Sequence, residues 1–166
     1  RDLLIVVGGG SLPPSMYDRP HEDELQPNRD RMEEQVIHYC VAHGIPIIAT
    51  CRGMQYSNVM FGGKLWYHPK LPVTRTRGMD HQVWLVKEQR NIWVNNYHSD
   101  CIYEEGLAPC FEPLAIDREN HVVEAYGSDE MKILALQWHP ERRFETANAY
   151  EETRKIVLDF IQKHVK

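Results

Sequence analysis

The sequence predicts an α/β fold of the doubly wound type, in which helices cover both faces of a mostly parallel sheet. The first observation is a pair of unbroken apolar runs, residues 3–7 and 45–49, which are typical of strands buried on both faces. The second is that a segment with helical features follows each run, so that strands and helices alternate within the first 60 residues.

Between the two runs, residues 11–28 contain four prolines and many charges, and we expect a loop there. Asp30 and Glu33 have the spacing of a capping box, which predicts that the first helix begins at Asp30 and ends at Gly44. The apolar stripe of this helix would face the core and comprises Met32, Val36, Ile37, Tyr39 and Cys40.

A second helix is predicted at residues 53–60, directly after the second strand and before two glycines. From residue 147 a further helix with one apolar face is expected to run to the end of the chain. Short strands, of which the last is apolar enough to be central, are predicted at 82–86, 92–94, 114–116, 122–126 and 133–137.

Length and composition exclude several classes of function. At 166 residues the chain is expected to be a single domain, 1–166. The net charge of −5 without a basic stripe argues against nucleic acid as a partner. No apolar run reaches 18 residues, so no membrane span is predicted, and the chain does not begin with a signal-peptide pattern.

The four cysteines show neither a C-x-x-C pair nor the spacing of a zinc site or disulfide framework, so we expect reduced thiols in a cytoplasmic protein. None of the nine histidines belongs to an H-E-x-x-H motif, and no metal site is predicted. The glycines at 8–10 lack the Gly-Lys-Ser/Thr continuation of a phosphate loop. We therefore expect no cofactor.

Cys51 differs from the other cysteines because it lies between a buried strand and a helix. A turn of this kind lifts a side chain clear of the sheet, as in a nucleophile elbow. The helix N-terminus supplies free N–H groups that would activate a thiolate and hold an oxyanion. From this turn alone, a buried structural cysteine is an equally good interpretation.

A second motif favours the catalytic interpretation. Residues 137–141 (Gln-Trp-His-Pro-Glu) follow the last apolar strand, and neighbouring parallel strands end at the same edge of a sheet. We therefore expect His139 to approach Cys51, with Glu141 bonded to the far imidazole nitrogen. A surface loop would explain His139 and Glu141 equally well on their own, but the two motifs together favour a Cys-His-Glu triad.

Four segments in this order resemble those of class I glutamine amidotransferases: residues 45–55, 95–99 (Asn-Asn-Tyr-His-Ser), 123–125 (Val-Glu-Ala) and 137–141. The similarity extends over nearly the whole chain. The Cys-Arg-Gly turn followed by Gln55 is most similar to the γ-glutamyl-γ-aminobutyrate hydrolase family. This resemblance implies a three-layer, flavodoxin-like sandwich that hydrolyses a γ-glutamyl amide or amidate through a covalent γ-glutamyl thioester.

The resemblance also implies roles for single residues. Cys51 would attack the γ-carbonyl, and an oxyanion hole would be formed by the backbone N–H of Arg52 and one N–H of the turn at Gly9 and Gly10. The groups that hold the α-amino and α-carboxylate ends of the glutamyl group would be Gln55, Tyr97, His98 and Ser99, with Glu124 and His81 nearby. For Arg29 and the side chain of Arg52, a solvated loop charge and a helix-start charge are the plainer interpretations.

Three departures from the family stand out. The elbow has Ala49 where the family commonly has Gly, a small change that the tight turn should tolerate. Family members have a strand and a helix before the segment equivalent to residue 3, so we expect that such an upstream segment exists. The region between Gly63 and Asn95, which usually shapes the acceptor side of the pocket, is shorter than is typical. The identity of the leaving amine is therefore open, and a γ-glutamyl-CDP-amidate is one candidate substrate.

Three functions remain in competition. The first is a free-standing hydrolase acting on a small γ-glutamyl molecule, alone or as a homodimer. The second is a glutaminase subunit that passes ammonia to a partner synthase, and the lack of an ATP-binding domain in this sequence favours the hydrolase over it. The third is an inactive binding module, against which the intact Cys51, His139 and Glu141 argue.

Overall fold

The computed structural model describes residues 2–17, 25–67 and 78–166, which form a nine-stranded sheet and three α-helices. The predicted α/β class is confirmed. The helices are α1 (Pro27–Ala42), α2 (Arg52–Met60) and α3 (Ala149–His164). The strands are β1 (Leu4–Val6), β2 (Ile47–Thr50), β3 (Trp66–Tyr67), β4 (His81–Leu85), β5 (Arg90–Val94), β6 (Asp100–Tyr103), β7 (Glu112–Asp117), β8 (Val122–Ser128) and β9 (Ile133–Leu136).

The sheet is mixed, and its parallel part is the part that carries Cys51. Strand β2 lies between β1 and β9 and pairs with both in parallel. The remaining neighbours pair antiparallel, with β8 joining β9 to β7, β4 joining β7 to β5, and β6 joining β8 to β3. Short connections between β4 and β5 and between β8 and β9 allow only antiparallel pairing, whereas α1 supplies the crossover from β1 to β2.

The two faces of the parallel strands pack against different helices, because successive side chains of a strand point to opposite sides. Ile47 and Ala49 of β2 belong to the same apolar cluster as Ile37 of α1 and Met54 of α2. Ile48 belongs to the cluster on the other face, where the apolar side chains of α3 pack. The result is the predicted three-layer sandwich.

Helix α1 begins earlier than predicted. It begins at Pro27 with Gln26 as the N-cap residue, and no side chain caps it, so the predicted capping box is wrong. Proline suits the first turn because it lacks the N–H that would be left unsatisfied there. Asp30 and Glu33 are instead buried inside the helix, where both form ion pairs with Arg52.

The apolar stripe predicted for α1 is only partly correct. Ile37 and Cys40 are buried, whereas Met32, Val36 and Tyr39 are exposed. The buried residues of α1 form one stripe at helical spacing that begins with the two carboxylates at 30 and 33. The two carboxylates and the two apolar side chains therefore share the inward face of the helix. Helix α3 begins two residues later than predicted.

Other predictions fall partly outside the described residues. The predicted loop at 11–28 includes the undescribed residues 18–24, and its described part contains a short 3-10 turn, Pro14–Met16. The shortened region after Gly63 includes the undescribed residues 68–77. Strands β3 and β6 are not predicted by the sequence patterns. Among the described residues, no helix has the length and apolar character needed to cross a membrane.

Strand β1 is the outermost strand on its side of the sheet in the described part of the chain, where it pairs with β2 alone. The apolar side chains of Ile5 and Val7 are 57% and 55% exposed. A groove of about 480 Å³ runs between them and α3, where Val157 and Ile161 line it. The upstream strand and helix expected from the family stay a prediction.

Candidate active site

The turn between β2 and α2 has the backbone of a nucleophile elbow. Cys51 has φ 50° and ψ −108°, a strained conformation for a residue other than glycine. Its N–H donates to the carbonyl of Leu136 in β9 at 2.8 Å, and its carbonyl accepts from the N–H of Gln55 at 3.1 Å. The elbow is therefore fixed on one side to the neighbouring strand and on the other to the first turn of α2.

Two glycines allow the surrounding backbone to approach this elbow closely. A Cβ on Gly53 would lie only 2.4 Å from the carbonyl oxygen of Val6. A Cβ on Gly8 would lie 2.7 Å from Cε1 and 3.5 Å from Nε2 of His139, and 3.3 Å from Cβ of Cys51. Cys51 and His139 thus meet at the space beside Gly8, as the adjacency of β2 and β9 requires.

His139 is held by contacts on both its backbone and its ring. The side chain of Asn95 donates to the His139 carbonyl at 2.8 Å and accepts from the His139 N–H at 2.9 Å. Nδ1 of the ring lies 2.6 Å from Oε1 of Glu141, and the ring of Tyr97 packs edge-on against it at 5.7 Å between centroids. Because Nδ1 is bonded to Glu141, Nε2 is the nitrogen left free to face Gly8 and Cys51.

The protonation states of this pair follow from burial. Burial raises the pKa of the Cys51 thiol to about 11, although the backbone N–H of Arg52 and the charge of Arg142 both oppose the increase. Burial lowers the pKa of His139, against the opposing effect of the Glu141 carboxylate. Near neutral pH the resting pair is therefore a thiol beside a neutral imidazole that can accept a proton.

The side chain of Arg52 points away from Cys51. It is almost fully buried and forms ion pairs with Asp30 and, at 2.6 Å, with Glu33 of α1. Only the backbone of Arg52 is therefore directed at the thiol. The side chain is a charge at the start of α2, as in the plainer interpretation, but it is buried between two carboxylates.

The glycine turn after β1 lies beside the elbow and is contacted by an arginine. Gly9 and Gly10 have φ angles of 94° and 73°, which glycine adopts without steric cost. The guanidinium of Arg29 donates to the carbonyls of Val7, Gly8 and Gly9 at 2.6, 3.1 and 2.9 Å. The interpretation of Arg29 as a solvated loop charge is therefore wrong.

Of the four residues expected to hold the glutamyl group, three make contacts close to Cys51 and His139. Nε2 of Gln55 donates to the carbonyl of Asp100 and to the side chain of Gln137, both at 3.2 Å. Tyr97 touches the His139 ring, and Nδ1 of His98 lies 2.8 Å from the Asp100 carbonyl. Ser99 is exposed on the bend before β6.

Glu124 is buried between two histidines, one of which is His98. Its carboxylate oxygens lie 3.4 Å from Nε2 of His81 and 3.6 Å from Nε2 of His98. Burial alone would raise the pKa of Glu124, but the two histidines outweigh it and hold the pKa well below its usual range. Within the described ranges, no cluster of three or more His, Cys, Asp or Glu side chains is arranged to hold a metal ion.

Three residues at this site had no role assigned from the sequence. Gly8 provides the space in which the cysteine and histidine meet, and Asn95 brackets the backbone of His139. The guanidinium of Arg142 stacks over the ring of Tyr97 at 4.5 Å. Asn95 is the first residue of one of the segments that resemble the family, and that position could have indicated a role for it. No sequence pattern pointed to Arg142.

The comparisons with known proteins agree with this fold. The chain matches the Peptidase C26 family model over residues 2–141, and it belongs to that family. It is 29% identical over 164 residues to the glutamine amidotransferase-like protein YvdE of Lactococcus lactis, a match that covers 87% of this chain and 68% of that protein. The resemblance to class I glutamine amidotransferases seen in the sequence is therefore confirmed.

The chain is also similar to a curated hydrolase and to a solved structure. The chain is 28% identical over 167 residues to the γ-glutamyl-γ-aminobutyrate hydrolase PuuD of Escherichia coli, covering 84% of this chain and 64% of that one. A Thermoplasma acidophilum protein, solved as a candidate GMP synthase subunit, shares the fold with a TM-score of 0.66 at 21% identity, covering 98% and 72%. This chain spans about two thirds of the length of its curated relatives.

Proposed function

We propose that this protein is a cysteine-dependent hydrolase that releases glutamate from a γ-glutamyl amide or amidate through a covalent γ-glutamyl thioester. The observation that carries the proposal is the meeting of Cys51 and His139 beside Gly8, with Glu141 bonded to the far side of the imidazole. The similarity to a γ-glutamyl-γ-aminobutyrate hydrolase supports the substrate class.

In the first half of the reaction, Nε2 of His139 takes the thiol proton while the sulfur of Cys51 attacks the γ-carbonyl carbon. A C–S bond forms and the carbonyl π electrons move to oxygen, which is bound by the N–H of Arg52 and an N–H of Gly9 or Gly10. The imidazolium, oriented by Glu141, then protonates the leaving nitrogen. The C–N bond breaks and the amine departs.

In the second half, water replaces the amine and loses its proton to the same imidazole as it attacks the thioester. The C–S bond breaks, the thiol recovers its proton, and glutamate leaves. The raised pKa of Cys51 and the lowered pKa of His139 suit this cycle, because an imidazole that is already neutral can act as the base at once.

We propose that recognition is stricter on the glutamyl side than on the amine side. Gln55, Tyr97, His98 and Ser99 would contact the α-amino and α-carboxylate groups, and a pocket built to hydrogen-bond such groups rejects analogues that lack them. Free glutamine would be a poor substrate, since ammonia leaves the acceptor side empty and its binding energy unused. A cytoplasmic location, with all four cysteines free, belongs to the same proposal.

The decisive experiment measures kcat/KM for γ-glutamyl-γ-aminobutyrate and a series of γ-glutamyl alkylamides. Cys51→Ala should lower the rate roughly 10³-fold or more, and Cys110→Ala, which removes an exposed free cysteine, is the matched control. Hydroxylamine should intercept the thioester of the wild type as a γ-glutamyl hydroxamate. Turnover by Cys51→Ala close to that of the wild type would overturn the proposal.

The second candidate is a glutaminase subunit. It is supported by the similarity to a glutamine amidotransferase-like protein and by the fold shared with a candidate GMP synthase subunit. The same assay separates the two functions. If free glutamine is the best substrate, and a partner synthase raises its turnover further, then the glutaminase interpretation replaces the hydrolase.

A further inference from the structure

We infer that Arg29 and Glu33 are positioning residues that set the geometry of the oxyanion hole, an inference that rests on the function proposed above. The oxyanion would be bound by N–H groups of two separate backbone segments, the glycine turn after β1 and the elbow at Cys51. Arg29 contacts the first segment, and Glu33 contacts both Arg29 and the side chain of Arg52 in the second. Both act through these contacts rather than on the substrate itself.

The turn after β1 presents three successive carbonyls to one guanidinium. Nη2 of Arg29 donates to Val7 at 2.6 Å and to Gly8 at 3.1 Å, while Nη1 donates to Gly9 at 2.9 Å. A planar fork with five donors can satisfy several carbonyls at once, whereas a lysine ammonium is a compact point charge on a flexible stem. Arg29 therefore fixes the orientation of consecutive peptide groups in this turn.

That orientation determines where the amides point. In a trans peptide the C=O and N–H groups point in opposite directions, and no cis peptide bond occurs in the described residues. Because the Gly8 and Gly9 carbonyls face Arg29, the N–H groups of Gly9 and Gly10 point away from it. The positive φ angles of Gly9 and Gly10 allow the chain to hold this arrangement without a steric penalty.

Glu33 connects this turn to the elbow. One of its oxygens accepts from Nε of Arg29 at 2.5 Å, and the other accepts from Nη1 of Arg52 at 2.6 Å. The backbone N–H of Arg52 faces the Cys51 thiol and lowers its pKa. The Glu33 carboxylate thus links two arginines. Arg29 orients the glycine turn that would supply one oxyanion donor, and Arg52 would supply the other from its own backbone.

The three side chains of this link are little exposed, at 21% for Arg29, 10% for Glu33 and 2% for Arg52. Charge-assisted hydrogen bonds in such surroundings are strong and directional. The link therefore holds the two donors at a fixed spacing before substrate arrives, which is the condition under which an oxyanion hole lowers the barrier.

The test must separate positioning from a general contribution to folding. We would compare Arg29→Lys and Glu33→Gln with Arg31→Lys, a matched control at an exposed position of the same helix. Lysine keeps the charge and can still bond one carbonyl, so Arg29→Lys should fold, and thermal melting checks this. Removing an oxyanion donor outright costs roughly 10²- to 10³-fold in kcat, so a displaced donor should cost about 10- to 10²-fold.

Binding supplies the readout that a merely structural role would not produce. The affinity for γ-glutamyl-γ-aminobutyrate is measured calorimetrically in the Cys51→Ala background, with and without Arg29→Lys. We expect the ground-state Kd to stay within about twofold while kcat falls, because the oxyanion exists only after attack. Unchanged kcat in both variants, or equal losses in kcat and affinity, would overturn the inference. Absence of γ-glutamyl hydrolysis in the wild type would instead overturn the proposed function.

Discussion

Replacing Gly8 by alanine would place a methyl group in the space where Cys51 and His139 meet. The φ angle of Gly8 lies outside the left-handed region, so the backbone itself accepts alanine. The added carbon would stand 2.7 Å from Cε1 of His139, whereas ordinary contacts begin near 3.4 Å, and the ring must therefore move by about 0.7 Å. Contact with Cβ of Cys51, at 3.3 Å, leaves little room for the methyl to move the other way.

A displacement of this size should be costly in rate and mild in stability. Misplacing a reacting group by about 1 Å costs on the order of 10²-fold, so we expect Gly8→Ala to lower kcat/KM about 10- to 10²-fold, or roughly 1.4–2.7 kcal/mol. The clash itself destabilises by about 1–3 kcal/mol, partly offset by the lower entropy of the unfolded chain. The assay pairs steady-state kinetics on a γ-glutamyl amide with a thermal melt.

Gly62→Ala is the matched control for this experiment. Gly62 follows α2 with φ 94°, and nothing lies within 4 Å of the added carbon. It should lose about 1 kcal/mol of stability from backbone strain and keep its kcat/KM. If Gly8→Ala is folded and fully active, the close approach of Cys51 and His139 beside Gly8 is not needed for catalysis. That result would refute the proposed pairing of the two residues.

Three other outcomes can be measured on the same protein. His139→Ala should cost roughly 10³-fold in kcat, and Glu141→Gln only about 10- to 10²-fold, because water can partly replace this exposed carboxylate; equal losses would contradict an orienting role. Arg52→Gln should lower the free energy of unfolding in urea by about 3–5 kcal/mol, since it leaves two buried carboxylates without their partner, and a loss below about 1 kcal/mol would contradict this. With its pKa raised to about 11, Cys51 should react with iodoacetamide at a rate that still rises above pH 8, and a plateau near pH 6–7 would indicate a thiolate–imidazolium pair instead.

The parallel part of the fold could be predicted because its residues carry strong local signals. The runs that became β1, β2 and β9 are apolar, and the elbow at Cys51 has its helix directly behind it. Strand β3 was missed because it has only two residues, and β6 because it begins with Asp100, a residue that strands usually lack. Their pairing depends on contacts distant in sequence.

The electrostatic support of the site could not be predicted in the same way. Asp30 and Glu33 have the spacing of a capping box, but Arg52, 19 residues or more away in the chain, draws both of them into the interior. In the sequence, Arg29 resembles a solvated loop charge. Its contacts with the glycine turn exist only in the folded chain. Local patterns describe what a residue can do with its neighbours in sequence, and here tertiary contacts take precedence.

Strand β1 is the support of the glycine turn as well as the outermost strand on its side of the described sheet. A three-residue strand has few backbone hydrogen bonds of its own, so the free energy of its local opening depends on what pairs along it, and amide hydrogen exchange would measure it. Each such opening would also displace the glycine turn after Val7. Cys51 would then lose the backbone on one side of it while the remainder of the sheet stays folded. A polypeptide segment that pairs along β1 and fills the groove beside Ile5 would raise the population of competent molecules without touching substrate. The outer edge of the sheet and the chemistry at Cys51 are in this way linked thermodynamically.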